Sequence, residues 1–460
     1  MTPVATRALG RAAIVGLLCF GMASCATARR VWPFNRDSGP QATASAGERV
    51  SIIQFDQEIA PNAALAAAGF QLPAPRPVTS WSLPGGTPEQ SIEHADAAPA
   101  FQVAWRSNAG EGSSRTSQVT SPVVAADGRI YVMDGESRVS AFDAATGAQV
   151  WRTSIRPEDG DRTAFGGGLA TFGGKVFATS GFRVVAALDA ATGAVAWSTP
   201  VESPIHSAPT VSAGRVYAID VDNQLIALDV NTGALAWSSQ AIVEPARILR
   251  ASSPAVSGDA ILAPFSSGEL IALRAANGQQ LWQQVLSRTN RTNALSEIRD
   301  VAGRPVISRG VAYAGSHSGL FAAVDMRTGQ RKWELPIATV NAAWVAGDVV
   351  YVLSNTGQVI CISRDTGQVY WIHELNENRG ERRGIPGFGR RTVRPVWSGP
   401  LLANNRLILV NNEGEAVTLD ARTGAEQAQI NLGSAAYIAP IAYNGMVYVL
   451  TDEAKLVAIR

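Results

Sequence analysis

From Phe101 to Arg460, short runs of alternating apolar and polar residues are separated by pairs of turn-forming residues. Successive side chains of a strand point to opposite faces, so alternation bounded by glycine, asparagine and aspartate predicts antiparallel hairpins. One line of sequence keeps returning. It reads Val139-Ser140-Ala141-Phe142-Asp143-Ala144-Ala145-Thr146-Gly147-Ala148-Gln149-Val150-Trp151 and comes back as Ala187-Leu188-Asp189 with Thr192-Gly193 and Trp197, then as Ala227-Leu228-Asp229 with Thr232-Gly233 and Trp237. Later copies drift. Ala272-Leu273-Arg274 leads to Asn277-Gly278 and Trp282, and Ala323-Val324-Asp325 leads to Thr328-Gly329 and Trp333. Cys361 and Ser363 precede Thr366-Gly367 and Trp371, and in the last copy Asp420 precedes Thr423-Gly424 while Ala428 stands at the tryptophan position.

Each copy has an upstream half of two further apolar runs around a turn, such as Ser121-Pro122-Val123-Val124, Asp127-Gly128 and the stretch from Arg129 to Asp134. Four strands per repeat follow. Successive Thr/Asn-Gly turns are 38 to 57 residues apart, the period of a propeller blade, and the 3.6-residue periodicity of a helical solenoid is missing. The upstream half occurs eight times, and the last copy ends after its third strand at Leu456-Val457-Ala458-Ile459-Arg460. A tryptophan-bearing strand without its preceding three lies at Phe101-Gln102-Val103-Ala104-Trp105-Arg106. The expectation is an all-β, eight-bladed propeller of four-stranded antiparallel blades, its last blade completed by this N-terminal strand, because an open ring would leave an apolar face and a strand edge in water.

The recurrent residues are explained by structure alone. Glycine supplies a positive φ in the turn, threonine or aspartate bonds the turn backbone, and tryptophan fills the space between blades. Residues 26–100 differ, being rich in alanine and proline with one short amphipathic piece around Val50 to Ile59. They read mainly as a tether, in which Trp81-Ser82-Leu83-Pro84-Gly85-Gly86 docks on the propeller. The whole chain carries a formal charge of +1, which argues against a nucleic-acid partner.

Arg7 and Arg11 precede an apolar run from Ala12 to Met22 that closes on Ala23-Ser24-Cys25. This is the grammar of a secretory signal, and the run is shorter than the ~20 residues of a membrane-spanning helix. The ending resembles the bacterial lipobox, although Met22 stands where leucine is usual. That resemblance implies cleavage before Cys25, lipidation of Cys25 and, with Ala26 next, sorting to the outer membrane; an ordinary signal peptide that contains a cysteine is the alternative. The expected organisation is a signal peptide over 1–24, a lipidated and partly disordered tether over 25–100, and the propeller over 101–460. Only Cys361 then remains as a thiol, so no disulfide forms within the mature chain.

The Ala-x-Asp-x-x-Thr-Gly-x-x-x-Trp line resembles the repeat of PQQ-like propellers, which occurs in quinone-dependent dehydrogenases and in the non-catalytic BamB family of outer-membrane β-barrel assembly lipoproteins. A lipidated eight-bladed propeller of this length resembles BamB. The resemblance implies a scaffold on the periplasmic face of the outer membrane, docked on the POTRA domains of BamA and assisting unfolded outer membrane proteins. It also implies where docking occurs. Leu249-Arg250 followed by Ser253-Pro254, and Asp300-Val301 followed by Pro305, match two interblade segments that contact BamA in the family, while Arg247 and Ala302 replace a usual leucine and a usual aspartate. The further expectation is that Arg250 pairs with Asp300 across neighbouring blades, with Leu249 as an apolar anchor; a surface ion pair of little energy is the plainer reading.

A quinone enzyme of this repeat type needs calcium-binding carboxylates, a catalytic aspartate and commonly a cysteine pair. The chain has no Cys-Cys pair and no Cys-x-x-Cys-His, and its four histidines, His94, His206, His317 and His373, show no ligand spacing. No cofactor, metal or catalytic residue is therefore expected, the alternatives being a quinone-dependent periplasmic dehydrogenase or a carbohydrate-binding propeller. One insertion is strongly basic: Arg379, Arg382, Arg383, Arg390, Arg391 and Arg394 surround only Glu381. It reads as a mobile loop that meets anionic lipid, lipopolysaccharide or an acidic surface, or as a solvated loop with no partner.

Overall fold

The computed structural model describes residues 59–158, 163–244, 248, 252–287, 298–377, 379, 381–383 and 391–460. Among the described residues, eight four-stranded antiparallel sheets follow one another, seven of them with their strands in chain order from the first to the fourth. The first blade runs through Val124–Ala126, Arg129–Met133, Arg138–Asp143 and Gln149–Ser154. The eighth consists of Ile441–Tyr443, Met446–Leu450 and Lys455–Ile459, with Val103–Asn108 as its outer strand. Val103 pairs with Ile459 and Asn108 with Lys455. The N-terminal strand closes the ring, as the truncated last repeat requires.

The repeated line is an interlock between neighbours. In six of the blades the outer-strand tryptophan lies against an aromatic of the second strand, as in Tyr131–Trp151 at 5.9 Å and Tyr217–Trp237 at 6.0 Å between ring centroids. The same indole then supports the Thr-Gly turn of the next blade. Trp151 Nε1 donates to Ala190 O at 3.0 Å and Trp237 Nε1 to Ala275 O at 3.1 Å. A Cβ built on Gly193 would sit 2.6 Å from the Trp151 ring, and one on Gly233 2.5 Å from Trp197. Glycine is thus required twice, for the positive φ and for the close approach.

One junction lacks this interlock. Ala428 faces the eighth blade, which has no Thr-Gly turn because its third and fourth strands come from opposite ends of the chain. The segment just before Val103 occupies that place instead. Arg406 donates to Ala98 O at 2.6 Å and lies over the Phe101 ring, and Asn404 Nδ2 donates to Ala97 O at 3.0 Å.

Residues 59–100, read from the sequence mainly as tether, form a strap across the face that carries the Thr-Gly turns. Trp81 and Leu83 are each 1% exposed, and Phe70 and Val78 are buried. Backbone bonds run from the strap to the inner strand of one blade after another, Trp81 with Ala125, Ser82 with Thr171, Pro88 with Val256, Glu89 with Ile307 and Ala95 with Leu402, and from Val78 to Asn444 in the turn that follows the eighth inner strand. Gln90 reaches the third blade at Thr210 and also bonds Pro254, and Trp344 of the sixth donates to Glu93 O at 2.8 Å. Every blade is touched. Apolar burial and these bonds, rather than any repeating pattern, order the segment.

Candidate functional site

The strap and the inner strands leave a small cavity on the axis of about 100 Å³, with Pro84 of the strap among its lining residues. Its polar lining is Thr120, His206, Ser252, Ser253, Arg304 and Asn341, with no aspartate or glutamate among the described residues that line it. A pyrroloquinoline quinone with its calcium needs carboxylate ligands and a pocket of several hundred Å³. The residues at the axis do not fit that group. The four histidines are dispersed: His94 is in the strap, His206 lies tilted against Phe165 at 4.8 Å, His317 meets Asn355, and His373 is on the sixth outer strand.

The opposite face carries the interblade segments. Asp300 and Ile248 come together there, from segments that flank the fourth blade. Asp300 is 3% exposed, and its carboxylate accepts the backbone N–H of Ile248, while its own carbonyl accepts the N–H of His317 at 2.9 Å. Asp300, read from the sequence as a partner-contacting group, is thus buried and holds the backbone of Ile248. Ile248 borders a cavity of about 430 Å³ shared with Val119, Tyr437 and Ile438. Tyr437 is 39% exposed there. Arg247, Leu249 and Arg250, and with them the expected Arg250–Asp300 pair, lie outside the described residues, as does Cys25.

The basic insertion divides in two. Its centre contains a two-stranded hairpin, Glu381–Arg383 with Arg391–Val393, in which Arg382 pairs with Thr392 and Arg383 with Arg391 along the backbone. Arg390, and the side chains of Arg382, Arg383 and Arg391, lie outside the described residues; Arg394 is exposed. Arg379, by contrast, does not belong to a basic surface. It bonds both carboxylate oxygens of Glu426, at 2.7 and 3.1 Å, lies 3.6 Å from Glu415 and covers the Trp397 ring. The bond to Glu426 raises its already high pKa, and a bidentate guanidinium held this way fastens the sixth blade to the seventh.

Missed by sequence reasoning were Gln90 and Glu93, and, for His94, which it read only as lacking ligand spacing, the partners. His94 Nδ1 lies 2.6 Å from Pro73 O, and its Nε2 accepts the Asn405 N–H at 2.9 Å, which fixes the neutral tautomer between strap and seventh blade. Burial lowers its pKa in the same sense. Nothing in the local sequence signals these partners, which are more than 300 residues away for Asn405.

The family model described as outer membrane protein assembly factor BamB matches residues 89–159, 135–373 and 375–460. The outer membrane protein assembly factor BamB of Alkalilimnicola ehrlichii is 35% identical over 363 residues, covering 78% of this chain and 88% of that protein. Its namesake from Salmonella typhimurium is 27% identical over 360 residues, covering 77% and 88%. Among solved structures, BamB from Moraxella catarrhalis superposes with a TM-score of 0.64 at 19% identity, over 78% of this chain and 99% of that one. The quinohemoprotein alcohol dehydrogenase of Comamonas testosteroni superposes at 0.62 with 15% identity, over 80% of this chain and 76% of that one. At such identities the structural likenesses are ones of fold. With the family model spanning the propeller and a relative more than one-third identical over most of its length, the chain belongs to the BamB family of outer membrane protein assembly factors.

Proposed function

We propose that this protein is a non-catalytic scaffold of outer-membrane β-barrel assembly. It is anchored at the periplasmic face of the outer membrane through lipidated Cys25, docks on the POTRA domains of BamA, and assists unfolded outer membrane proteins on their way to insertion. Family membership carries the reading. The axial cavity supports it, since at about 100 Å³ and with no carboxylate among its described lining residues it does not fit a quinone and its metal. Adding pyrroloquinoline quinone and calcium to the purified protein is expected to give no bound chromophore; a stoichiometric spectrum would replace the scaffold with an oxidoreductase.

BamA docking is assigned to the interblade face, with Leu249 as apolar anchor, Arg250 as the charged contact and Arg247 beside them. Asp300 acts from below by holding Ile248. The two roles separate by experiment. Arg250→Ala is expected to weaken co-purification with BamA from detergent-solubilised membranes while leaving the melting temperature nearly unchanged. Asp300→Ala orphans the Ile248 N–H and so lowers both co-purification and stability, the latter by ~1–3 kcal/mol. Undiminished co-purification in both variants removes the assignment.

A further inference from the structure

The outer strand of the sixth blade, Val369–Glu374, reads Val-Tyr-Trp-Ile-His-Glu and is more apolar than its counterparts Gln149–Ser154 or Leu235–Gln240. Outer strands leave one row of backbone groups without a ladder partner. On the second and third blades the residue two before the tryptophan is open to solvent, Val195 at 48% and Leu235 at 61%, whereas Val369 in the same position is 3% exposed and Tyr370 8%. The difference is the chain's own residues 59–70.

These residues cover the edge in the manner of an added strand followed by an anchor. Pro61 bridges Val369 in parallel, Asn62 N donates to Val369 O at 2.8 Å, and Asn62 Nδ2 contacts Gln368 Oε1 at 3.4 Å. A six-residue helix, Ala63–Ala68, capped by Asn62, then leads to Phe70. The Phe70 ring meets Tyr370 edge-on at 4.8 Å and lies under the guanidinium of Arg422 from the seventh blade, whose Nη1 donates to Phe70 O at 2.8 Å. Between these two points the cover is weakly built. Its helix has no fully buried residue and packs on the core only through the partly buried Leu65, and a helix this short is unstable by itself. A segment held at its ends and loose between them opens at low free energy.

We propose that the sixth outer edge, with the notch formed by Tyr370 and Arg422, is a docking site for an extended polypeptide segment bearing an aromatic residue, closed in the resting protein by residues 61–70. The inference rests on the scaffold reading and names how an unfolded chain is held. Main-chain pairing along Val369 gives sequence-tolerant grip, and the notch supplies one side-chain preference. The chain's own segment shows both contacts being made.

The probe is a fluorescent peptide with the sequence of residues 59–72. The native chain is expected to bind it weakly, and the Phe70→Ala chain, its anchor removed, roughly tenfold more tightly. Adding Tyr370→Ala should abolish that gain, as should replacing the phenylalanine of the peptide. Equal binding to the native and Phe70→Ala chains overturns the proposal, and so does pairing of two Phe70→Ala chains in place of peptide capture. A second variant keeps the test sound if Phe70→Ala folds poorly: Asn62→Cys with Gln368→Cys, in a chain with Cys25→Ser, bridged by a short bis-maleimide. Bridging should block capture of the peptide, and capture that survives it refutes the site. Co-purification of the bridged chain with BamA is expected to persist; loss of co-purification by the native chain would refute the scaffold reading separately.

Discussion

At Gly233 an added methyl would lie 2.5 Å from the Trp197 indole, and φ is +72°. Gly233→Ala is therefore expected to destabilise by at least about 1 kcal/mol from backbone strain alone, and Trp197→Ala by ~3–5 kcal/mol as an interblade truncation; chemical denaturation measures both. The turn carboxylates add a pH dependence. Asp143 and Asp189 are held below the usual carboxylate range chiefly by the hydroxyls of Thr146 and Thr192, and Asp229 and Asp325 chiefly by the backbone N–H groups of Thr232 and Thr328. A depressed folded pKa means that the unfolded chain binds more protons in acid. This stabilisation is complete above the reference value of 3.8 and is lost as pH falls below it. Replacing all four with asparagine should flatten the acid limb of a melting-temperature profile between about pH 4 and pH 2; an unchanged limb would show that these turns do not titrate with folding. These positions were legible because one local motif repeats. Their cross-blade partners were not, since the glycine and the indole it rests on are some 36 residues apart in this pair.

The strap shows where an element escapes sequence reading. Residues 59–100 have neither strand nor helix periodicity, and their order comes from contacts with every blade, so composition alone made them resemble tether. Trp81 was the visible clue, because a large indole gains stability only when buried. It stacks near Trp344 at 6.3 Å and donates to Pro84 O. Trp81→Ala is expected to cost about 3–5 kcal/mol and to increase proteolysis between residues 70 and 98. A strap that behaves as an appendage would leave the melting temperature unaltered. Gly86 sets its bend, since a Cβ there would lie 2.2 Å from Ile92 Cδ1. The basic insertion was legible as basic but not as paired strands, and Arg379 was grouped with it only by proximity in sequence, whereas Glu426 claims it across 47 residues.

Across the whole molecule, blade count, strand number and the N-terminal closing strand followed from counting repeats, because each blade repeats the same local grammar. The region proposed to dock BamA did not follow in the same way, since its segments lie between repeats and obey no period. Seven junctions carry the indole–glycine interlock, and the eighth, at Ala428, carries strap residues 97–101 instead. Removing residues 455–460 should strip Val103–Asn108 of its ladder and abolish a single cooperative unfolding transition; retention of that transition would mean the ring holds without its clasp. The placement of this seam has a consequence for biogenesis. The two strands of the fastening are separated by some 350 residues, so the circle stays unfinished, with apolar blade faces uncovered, until nearly the whole propeller sequence has been synthesised.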